Sequence, residues 1–170
     1  GPGQSRVLCY GLAGNTTGAE FRGFSGAMQT KYKKLLARGE LQKAEAEYEG
    51  NGIVEDGKIL QPYTTVQFNT VYSTPLDNGV SATGLAAYGQ LTSVGLVAGG
   101  STQFTWTVHH SSDNISWSVL VAFTAATTTG QAAERVQTTA MVERYVRMTY
   151  GFGGIGSTTP NAKVFVGIKR

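Results

Sequence analysis

The segment HHSSDNISW, residues 109–117, gathers the residue types from which catalytic and metal sites are built. It holds both histidines of the chain beside serines and an aspartate. A serine hydrolase needs a nucleophile, a base and an orienting acid that converge in space, and a metal site needs several ligands that reach one ion. The segment could therefore be a hydrolytic site, a metal site or simply a turn.

The spacing fits neither chemistry. Neighbouring side chains of a strand point to opposite faces, so His109 and His110 cannot both bind one metal unless the strand bends. Cys9, the only cysteine, lies far away in sequence, and no Gly-x-Ser-x-Gly elbow occurs. Residues 111–113 crowd a single turn, where short polar side chains hydrogen-bond the backbone. We predict a strand that ends at His110, a turn, and a protein without catalytic activity, metal or cofactor.

The composition favours one packed β-rich domain. The 170 residues are 41% hydrophobic and 15% charged, which is too apolar for a disordered chain. The 23 glycines and many threonines favour short strands and tight turns over long helices.

We see no signal peptide and no apolar run near the ~20 residues of a membrane span. The net charge of +3 is mild for a nucleic-acid binder, and a single cysteine excludes an intramolecular disulfide. Gly1-Pro2-Gly3 is a tag remnant or a product of processing, and we exclude it from fold reasoning.

A short amphipathic helix is predicted within SGAMQTKYKKLLARG, residues 25–39. Ser25 suits its N-cap and Gly39 its C-terminal left-handed position. Apolar residues recur at helical spacing at Met28, Tyr32, Leu35 and Leu36. The other face is basic, through Lys31, Lys33, Lys34 and Arg38. This basic face is either solvated or a candidate surface for assembly with partners.

The segment LQKAEAEYEGNG, residues 41–52, fits both a helix and a strand. Its Ala, Glu and Lys favour a helix, whereas the alternation of Ala44, Ala46 and Tyr48 with glutamates has the period of a half-buried strand. Asp56-Gly57 follows shortly afterwards as a two-residue hairpin signal. The neighbouring hairpin favours the strand for residues 41–49.

The rest of the chain predicts an antiparallel β-sandwich or jelly roll. Asp77-Asn78-Gly79 is expected to form a turn, and the glycine-rich loop from Gly151 lacks the spacing of a phosphate-binding loop. We expect an N-terminal arm with helix and hairpin over residues 1–65 and a sandwich domain over 66–170, or one continuous domain. Four segments place apolar residues on one face at a period of two, at Phe104, Trp106 and Val108; at Trp117, Val119, Val121 and Phe123; at Val146, Met148 and Tyr150; and at Ala162, Val164, Val166 and Ile168.

Residues 77–170 resemble the C-terminal β-domain of tail tube and other virion proteins of tailed bacteriophages. The resemblance lies in the order strand, SSDNISW, strand ending in FT, loop, ERV and RYVR, within WTVHHSSDNISWSVLVAFTAATTTGQAAERVQTTAMVERYVRMTY. It extends upstream through DNGVSATGLAAYGQLTS and downstream to AKVFVGIKR. A related pattern occurs in discoidin-like carbohydrate-binding jelly rolls and in some capsid cement proteins.

The resemblance implies a structural subunit that assembles with itself into stacked rings or a tube, contacts other virion proteins, and is located in the virion after assembly in the host cytoplasm. DNA would be passing cargo, and no membrane would be involved. If Ala44, Ala46 and Tyr48 pack inward, the carboxylates on the other strand face could line the tube and repel DNA phosphates. These possible lumen-facing residues are Glu45, Glu47 and Glu49. Alternatively they pair with lysines of a neighbouring subunit or face water.

Two other functions remain open from the sequence. A capsid decoration or cement protein would use the same sandwich in dimers or trimers on a shell. A carbohydrate-binding module would expose aromatic rings at loop tips, but Trp106 and Trp117 both fall on predicted core faces. In that case Tyr63, Tyr72 and Tyr88 are the candidates for stacking on a sugar.

Overall fold

The computed structural model describes residues 6–35, 43–50, 52–67, 72–95, 103–127, 131–153 and 160–170. Every regular element in these ranges is a β-strand, and every strand pairing is antiparallel. The strands are β1 (Arg6–Gly11), β2 (Glu20–Leu35), β3 (Lys43–Gly50), β4 (Val54–Gln67), β5 (Leu76–Asp77), β6 (Ala82–Gly95), β7 (Gln103–Ser111), β8 (Ser118–Ala122), β9 (Ala132–Val142), β10 (Tyr145–Gly153) and β11 (Asn161–Lys169). The prediction of a mainly β, antiparallel fold is confirmed.

The strands form two sheets. The seven-stranded sheet has the order β1-β2-β4-β11-β6-β9, with β3 paired to β2 beside this path. The four-stranded sheet has the order β5-β10-β7-β8. Because β11 lies between β4 and β6, the first and second halves of the chain contribute to one continuous sheet.

The two sheets share one hydrophobic core. Strands β4, β6 and β11 contribute to it from the large sheet, and β7 and β10 from the small one. A Cβ on Gly89 of β6 would lie 2.6 Å from the Trp106 ring of β7, so glycine permits this close approach. Three of the four predicted apolar faces are buried here, which confirms Phe104, Trp106 and Val108; Val146, Met148 and Tyr150; and Ala162, Val164, Val166 and Ile168.

A second core cluster shows that the large sheet also packs against itself. Its members come from five strands of that one sheet, namely Cys9, Phe21, Ile59, Ala86, Tyr88 and Phe165. The Gln90 amide forms two hydrogen bonds with the backbone of Cys9 at the outer edge of β1. It accepts from the Cys9 N–H at 2.9 Å and donates to the Cys9 carbonyl at 3.2 Å. A side chain of β6 thus replaces a neighbouring strand for one residue of β1.

The predicted N-terminal helix is wrong, because β2 extends from Glu20 to Leu35. Residues 27–35 pair with β3, and these backbone hydrogen bonds between distant segments prevail over a helical spacing that is only local. Ser25 is not a helix cap: its hydroxyl accepts from the Ile53 N–H at 2.8 Å. Leu36, Arg38 and Gly39 lie outside the described residues.

The strand predicted near residues 41–49 is confirmed by β3, whereas the hairpin at Asp56-Gly57 is wrong. Strand β4 runs straight through this dipeptide, and Asp56 pairs with Arg22 across the β2–β4 register. Gly57 is needed for close packing instead of a turn. A Cβ there would run into the Ile168 carbonyl and lie 2.6 Å from the Phe21 ring.

The predicted core face of residues 117–123 is only partly correct. Phe123 is buried, but Val119 is 61% exposed and Trp117 lies outside both core clusters. The β7–β8 register shifts between Val108 and His109. This irregularity pairs Val121 with the core residue Val108 but Val119 with the outward-facing His109, so the alternation of faces breaks between them.

Candidate functional site

The HHSSDNISW segment is a turn, as predicted, although its strand ends one residue later, at Ser111. The Asp113 carboxylate accepts from the Ser116 N–H at 2.7 Å, the Ile115 N–H at 2.8 Å and the Ser111 hydroxyl at 2.8 Å. These bonds, the backbone ones foremost, lower the pKa of Asp113 to about 2. The Asp113 carboxylate thus stabilises the turn, and the Ser111 hydroxyl hydrogen-bonds this carboxylate.

The two histidines are held apart by the strand. In the β7–β10 register, His109 lies opposite Arg147 and His110 opposite the buried Val146. The His109 Nε2 atom lies 3.0 Å from the Thr107 hydroxyl, and His110 Nδ1 accepts from the Glu143 N–H at 3.1 Å. In the described part of the chain, no three His, Cys, Asp or Glu side chains are grouped so that they could hold a metal ion.

The outer face of the four-stranded sheet carries an arginine that packs on two aromatic rings. The guanidinium carbon of Arg147 lies 4.1 Å from the ring centre of Trp117 and 4.7 Å from that of Tyr72. We call Tyr72, Arg147 and Trp117 the arginine clamp. Cation–π attraction of this kind stabilises the stack and fixes the plane of the guanidinium.

Several polar atoms around the arginine clamp have no hydrogen-bond partner among the described residues. They are Arg147 Nε, His109 Nδ1 and Thr149 Oγ1, all buried. Burial, followed by the charge of Arg147 and the proximity of His110, lowers the pKa of His109. Burial likewise lowers the pKa of Arg147. His109 is therefore neutral at neutral pH, and Arg147 is the cation of this face.

A two-stranded ribbon extends from the large sheet. Among the described strands, residues 27–35 of β2 and all of β3 pair with each other, and β3 has no further partner strand. The β1 register stops at Ala27, so both outer edges of this β2–β3 ribbon continue without a described partner. A two-stranded β structure is marginally stable on its own in water. The ribbon is therefore a candidate for pairing with another chain.

The register of the β2–β3 ribbon rearranges the predicted assembly residues. Lys31 lies opposite Glu47, Lys33 opposite Glu45 and Lys34 opposite Ala44. Glu47 and Glu49 are exposed. The lysines are therefore strand residues that pair with the segment carrying the glutamates, not members of a helix.

An exposed apolar patch lies at the root of the ribbon. Leu8, Phe24 and Val54 occupy one row across β1, β2 and β4, and Val54 is 54% exposed. Tyr10 stacks on Phe24 with 6.1 Å between ring centres. We call Leu8, Tyr10, Phe24 and Val54 the apolar patch. Contiguous apolar side chains on a sheet surface are typical of sites that another protein covers.

A half-buried ionic cluster lies on the opposite face of the large sheet, around Glu55 of β4. Glu55 accepts from the Tyr88 hydroxyl at 2.5 Å and from Arg135 Nε at 2.9 Å, and Lys169 Nζ lies 3.5 Å away. Burial opposes ionisation of Glu55, but the hydrogen bonds from Tyr88 and Arg135 outweigh it and lower its pKa. Burial and the bond to Glu55 raise the pKa of Tyr88 to about 12. No sequence motif marks this cluster, whose members lie on four strands.

The tyrosines considered for sugar stacking differ in accessibility. Tyr88 is fully buried and unsuitable. Tyr63 is 45% exposed, and its hydroxyl lies 2.9 Å from that of Thr92. Tyr72 is 54% exposed and belongs to the arginine clamp. Of the predicted candidates, Tyr72 alone stands beside a second partly exposed aromatic ring, that of Trp117.

Comparisons with protein-family models, with curated proteins and with solved structures found no match to this chain. In the residues that the structure describes, no helix has the length and apolar character needed to cross a bilayer.

Proposed function

We propose that this protein is a non-enzymatic structural subunit of a bacteriophage particle that assembles with itself, specifically as a tail tube subunit in stacked rings. The phage assignment is supported by the resemblance of residues 77–170, and self-assembly by the surfaces that the fold leaves uncovered. We further propose that the two sheets form a β-sandwich, which the shared core cluster supports.

The observation that carries the proposal is the β2–β3 ribbon, whose two outer edges have no partner strand among the described residues. Open edges are templates for strand pairing with a neighbouring subunit, which would supply the missing backbone hydrogen bonds. The apolar patch borders the ribbon on β2 and would add buried area to the same contact. Together they give one continuous surface, through β2, for a second copy of the chain.

The tube would carry DNA as passing cargo, with Glu45, Glu47 and Glu49 facing the channel. The register places Lys31 and Lys33 among these glutamates, so the channel surface would carry both signs of charge. Such a wall neither binds phosphates strongly nor repels them over a long range. This balance is suited to the passage of a polyanion.

Trimming the ribbon tests the proposal. Because Ala27 lies opposite Gly50, residues 28–49 can be replaced by an Asn-Gly turn without moving the rest of β2 or β4. The trimmed protein should stay folded by circular dichroism but remain monomeric in sedimentation velocity, whereas the full chain forms rings or tubes in negative stain. Ile115→Ser, which changes an 81% exposed apolar residue outside these surfaces, should assemble normally.

Three outcomes would contradict the proposal. The trimmed protein could assemble as the full chain does, or the full chain could stay monomeric at high concentration. Closed dimers or trimers without stacking would instead favour the capsid decoration protein. Ala46→Pro offers a milder perturbation, since proline removes a backbone donor from β3 and should weaken assembly without shortening the chain.

A further inference from the structure

Arg147, like Arg170, has no carboxylate partner among the described residues, in contrast to three other arginines. Three arginines are paired with acids: Arg22 with Asp56, Arg135 with Glu55 and Arg144 with Asp77, at 2.6–2.8 Å. Arg147 forms no ion pair with any described residue, and its guanidinium lies over the rings of Tyr72 and Trp117. Its charge therefore has no counter-charge in the described part of this face.

The arginine clamp holds that charge in a fixed orientation. The rings of Tyr72 and Trp117 both pack on the guanidinium, and its Nε atom is buried without a partner among the described residues. The terminal N–H groups are then the donors left for a ligand. A guanidinium presented by its edge is suited to a carboxylate, which accepts two parallel hydrogen bonds. Because the side chain is already ordered, little conformational entropy remains to be lost on binding.

The surroundings of the arginine clamp favour a ligand that is both acidic and rich in hydroxyl groups. The outward-facing neighbours on β7 and β10 include Thr105, Thr107, His109, Tyr145 and Thr149. Asp77 of β5 lies opposite Tyr145, but its carboxylate is paired with Arg144. Tyr72 pairs with Thr149 at the margin of this face and is 54% exposed. An aromatic ring with an open side can pack against the C–H face of a sugar, and hydroxyl groups suit its substituents.

We propose that the outer face of the four-stranded sheet binds an acidic polysaccharide, with Arg147 receiving the carboxylate of a uronic acid residue. A uronic acid combines a planar carboxylate with a pyranose ring, which matches the edge of Arg147 and the ring of Tyr72. The inference goes beyond the structural role proposed above and does not depend on it. A chain that fails to assemble can still bind the sugar, and one that assembles can fail to bind it.

The test uses the full chain and oligogalacturonate as the probe. Methyl-esterified oligogalacturonate keeps the sugar and removes the charge, while poly-glutamate keeps the carboxylates and removes the sugar. Binding is measured by isothermal titration calorimetry and by the NMR signal of the Trp117 indole N–H. The free acid should bind and shift this signal, and the two controls should bind about tenfold more weakly or not at all.

Two arginines of similar setting provide the matched variants. Arg147→Gln should weaken binding of the free acid about tenfold or more, since a charge-assisted pair is lost. Arg144→Gln should leave it within about twofold, because Arg144 also stacks on a tyrosine but is already neutralised by Asp77. Tyr72→Ala, at a half-exposed ring, should also weaken binding and serves as the test if Arg147→Gln does not fold.

The proposal would be overturned by a wild-type protein that does not bind oligogalacturonate. Equal binding of the methyl ester would remove the role of the carboxylate, and equal binding of poly-glutamate would remove the role of the sugar. Equal losses in Arg144→Gln and Arg147→Gln would show only general attraction to a basic surface, and would also refute it.

Discussion

Glu55 and Asp56 are neighbours on β4, and each pairs with an arginine at close range. The Asp56–Arg22 distance is 2.6 Å and the Glu55–Arg135 distance is 2.8 Å. Alternation along the strand sends the two carboxylates to opposite faces of the sheet. The side chain of Glu55 is 10% exposed and that of Asp56 is 57% exposed. A comparison of the two ion pairs therefore shows how burial affects their contribution to stability when the distance is nearly the same.

Replacing Glu55 by Gln should lower the free energy of unfolding by about 3 kcal/mol, at the lower end of the roughly 3–5 kcal/mol for breaking a buried ion pair. The reason is that Arg135 would remain largely buried without its counter-charge, and Tyr88 would lose a charged acceptor. Lys169 and residual solvent access keep the loss from being larger. For a chain of this size the expected fall in Tm is roughly 6–12 °C.

Asp56→Asn is the control, and its effect should be much smaller because water already solvates both partners of the exposed pair. The assay is urea unfolding of both variants at neutral pH, followed by the fluorescence of the buried Trp106. Equal losses of stability in the two variants would refute the reasoning, since burial would then have no influence on the strength of these pairs. A small loss in Glu55→Gln alone would refute it as well.

Three further predictions concern single residues. Burial and Arg147 lower the pKa of His109 in the folded state. The neutral form of His109 therefore contributes stability that is complete above about pH 6.5 and decreases as the pH falls towards the folded-state pKa. Urea unfolding from pH 8 to 5 should show this loss of stability, and His109→Gln should make the loss smaller. Gly57→Ala should lower the free energy of unfolding by about 1–3 kcal/mol through overpacking. Gly95→Ala should be tolerated, because a Cβ there would meet no atom closer than 3.4 Å. Equal unfolding midpoints for the two variants would show that β4 can shift. Asp113→Ala should speed the hydrogen exchange of the Ile115 and Ser116 amides, and unchanged rates would mean that the carboxylate does not brace the turn.

The sequence predicts best where one strand carries its own pattern. In β7, β10 and β11 the apolar residues recur every second position, and the structure buries them as expected. The period works because each of these strands has one face on the shared core. The turn at Asp113 is likewise predictable, since short polar side chains bond the backbone two or three residues away.

The predictions that fail depend on residues far apart in the chain. The helical spacing of Met28, Tyr32, Leu35 and Leu36 is real, but strand pairing with residues 43–50 decides the structure. Gly57 resembles a hairpin glycine until the Ile168 carbonyl is placed beside it. The Glu55–Arg135 pair joins residues that are 80 positions apart, so no local sequence pattern predicts it.

The surfaces that remain after the core is filled are the ones that call for a functional explanation. Burial accounts for the inward positions of β4, β6, β7, β10 and β11, and the Gln90 amide accounts for the β1 edge at Cys9. Stability of the single chain does not account for a ribbon that extends past its sheet or for apolar side chains left in water beside it. It also does not require Arg147 to lie apart from every described carboxylate while three other arginines have one. The ribbon and the apolar patch are continuous through β2, whereas the arginine clamp lies on the other sheet. The proposed contact with another subunit and the proposed contact with a ligand can therefore be altered separately, by changes in β2–β3 and in residues 72, 117 and 147.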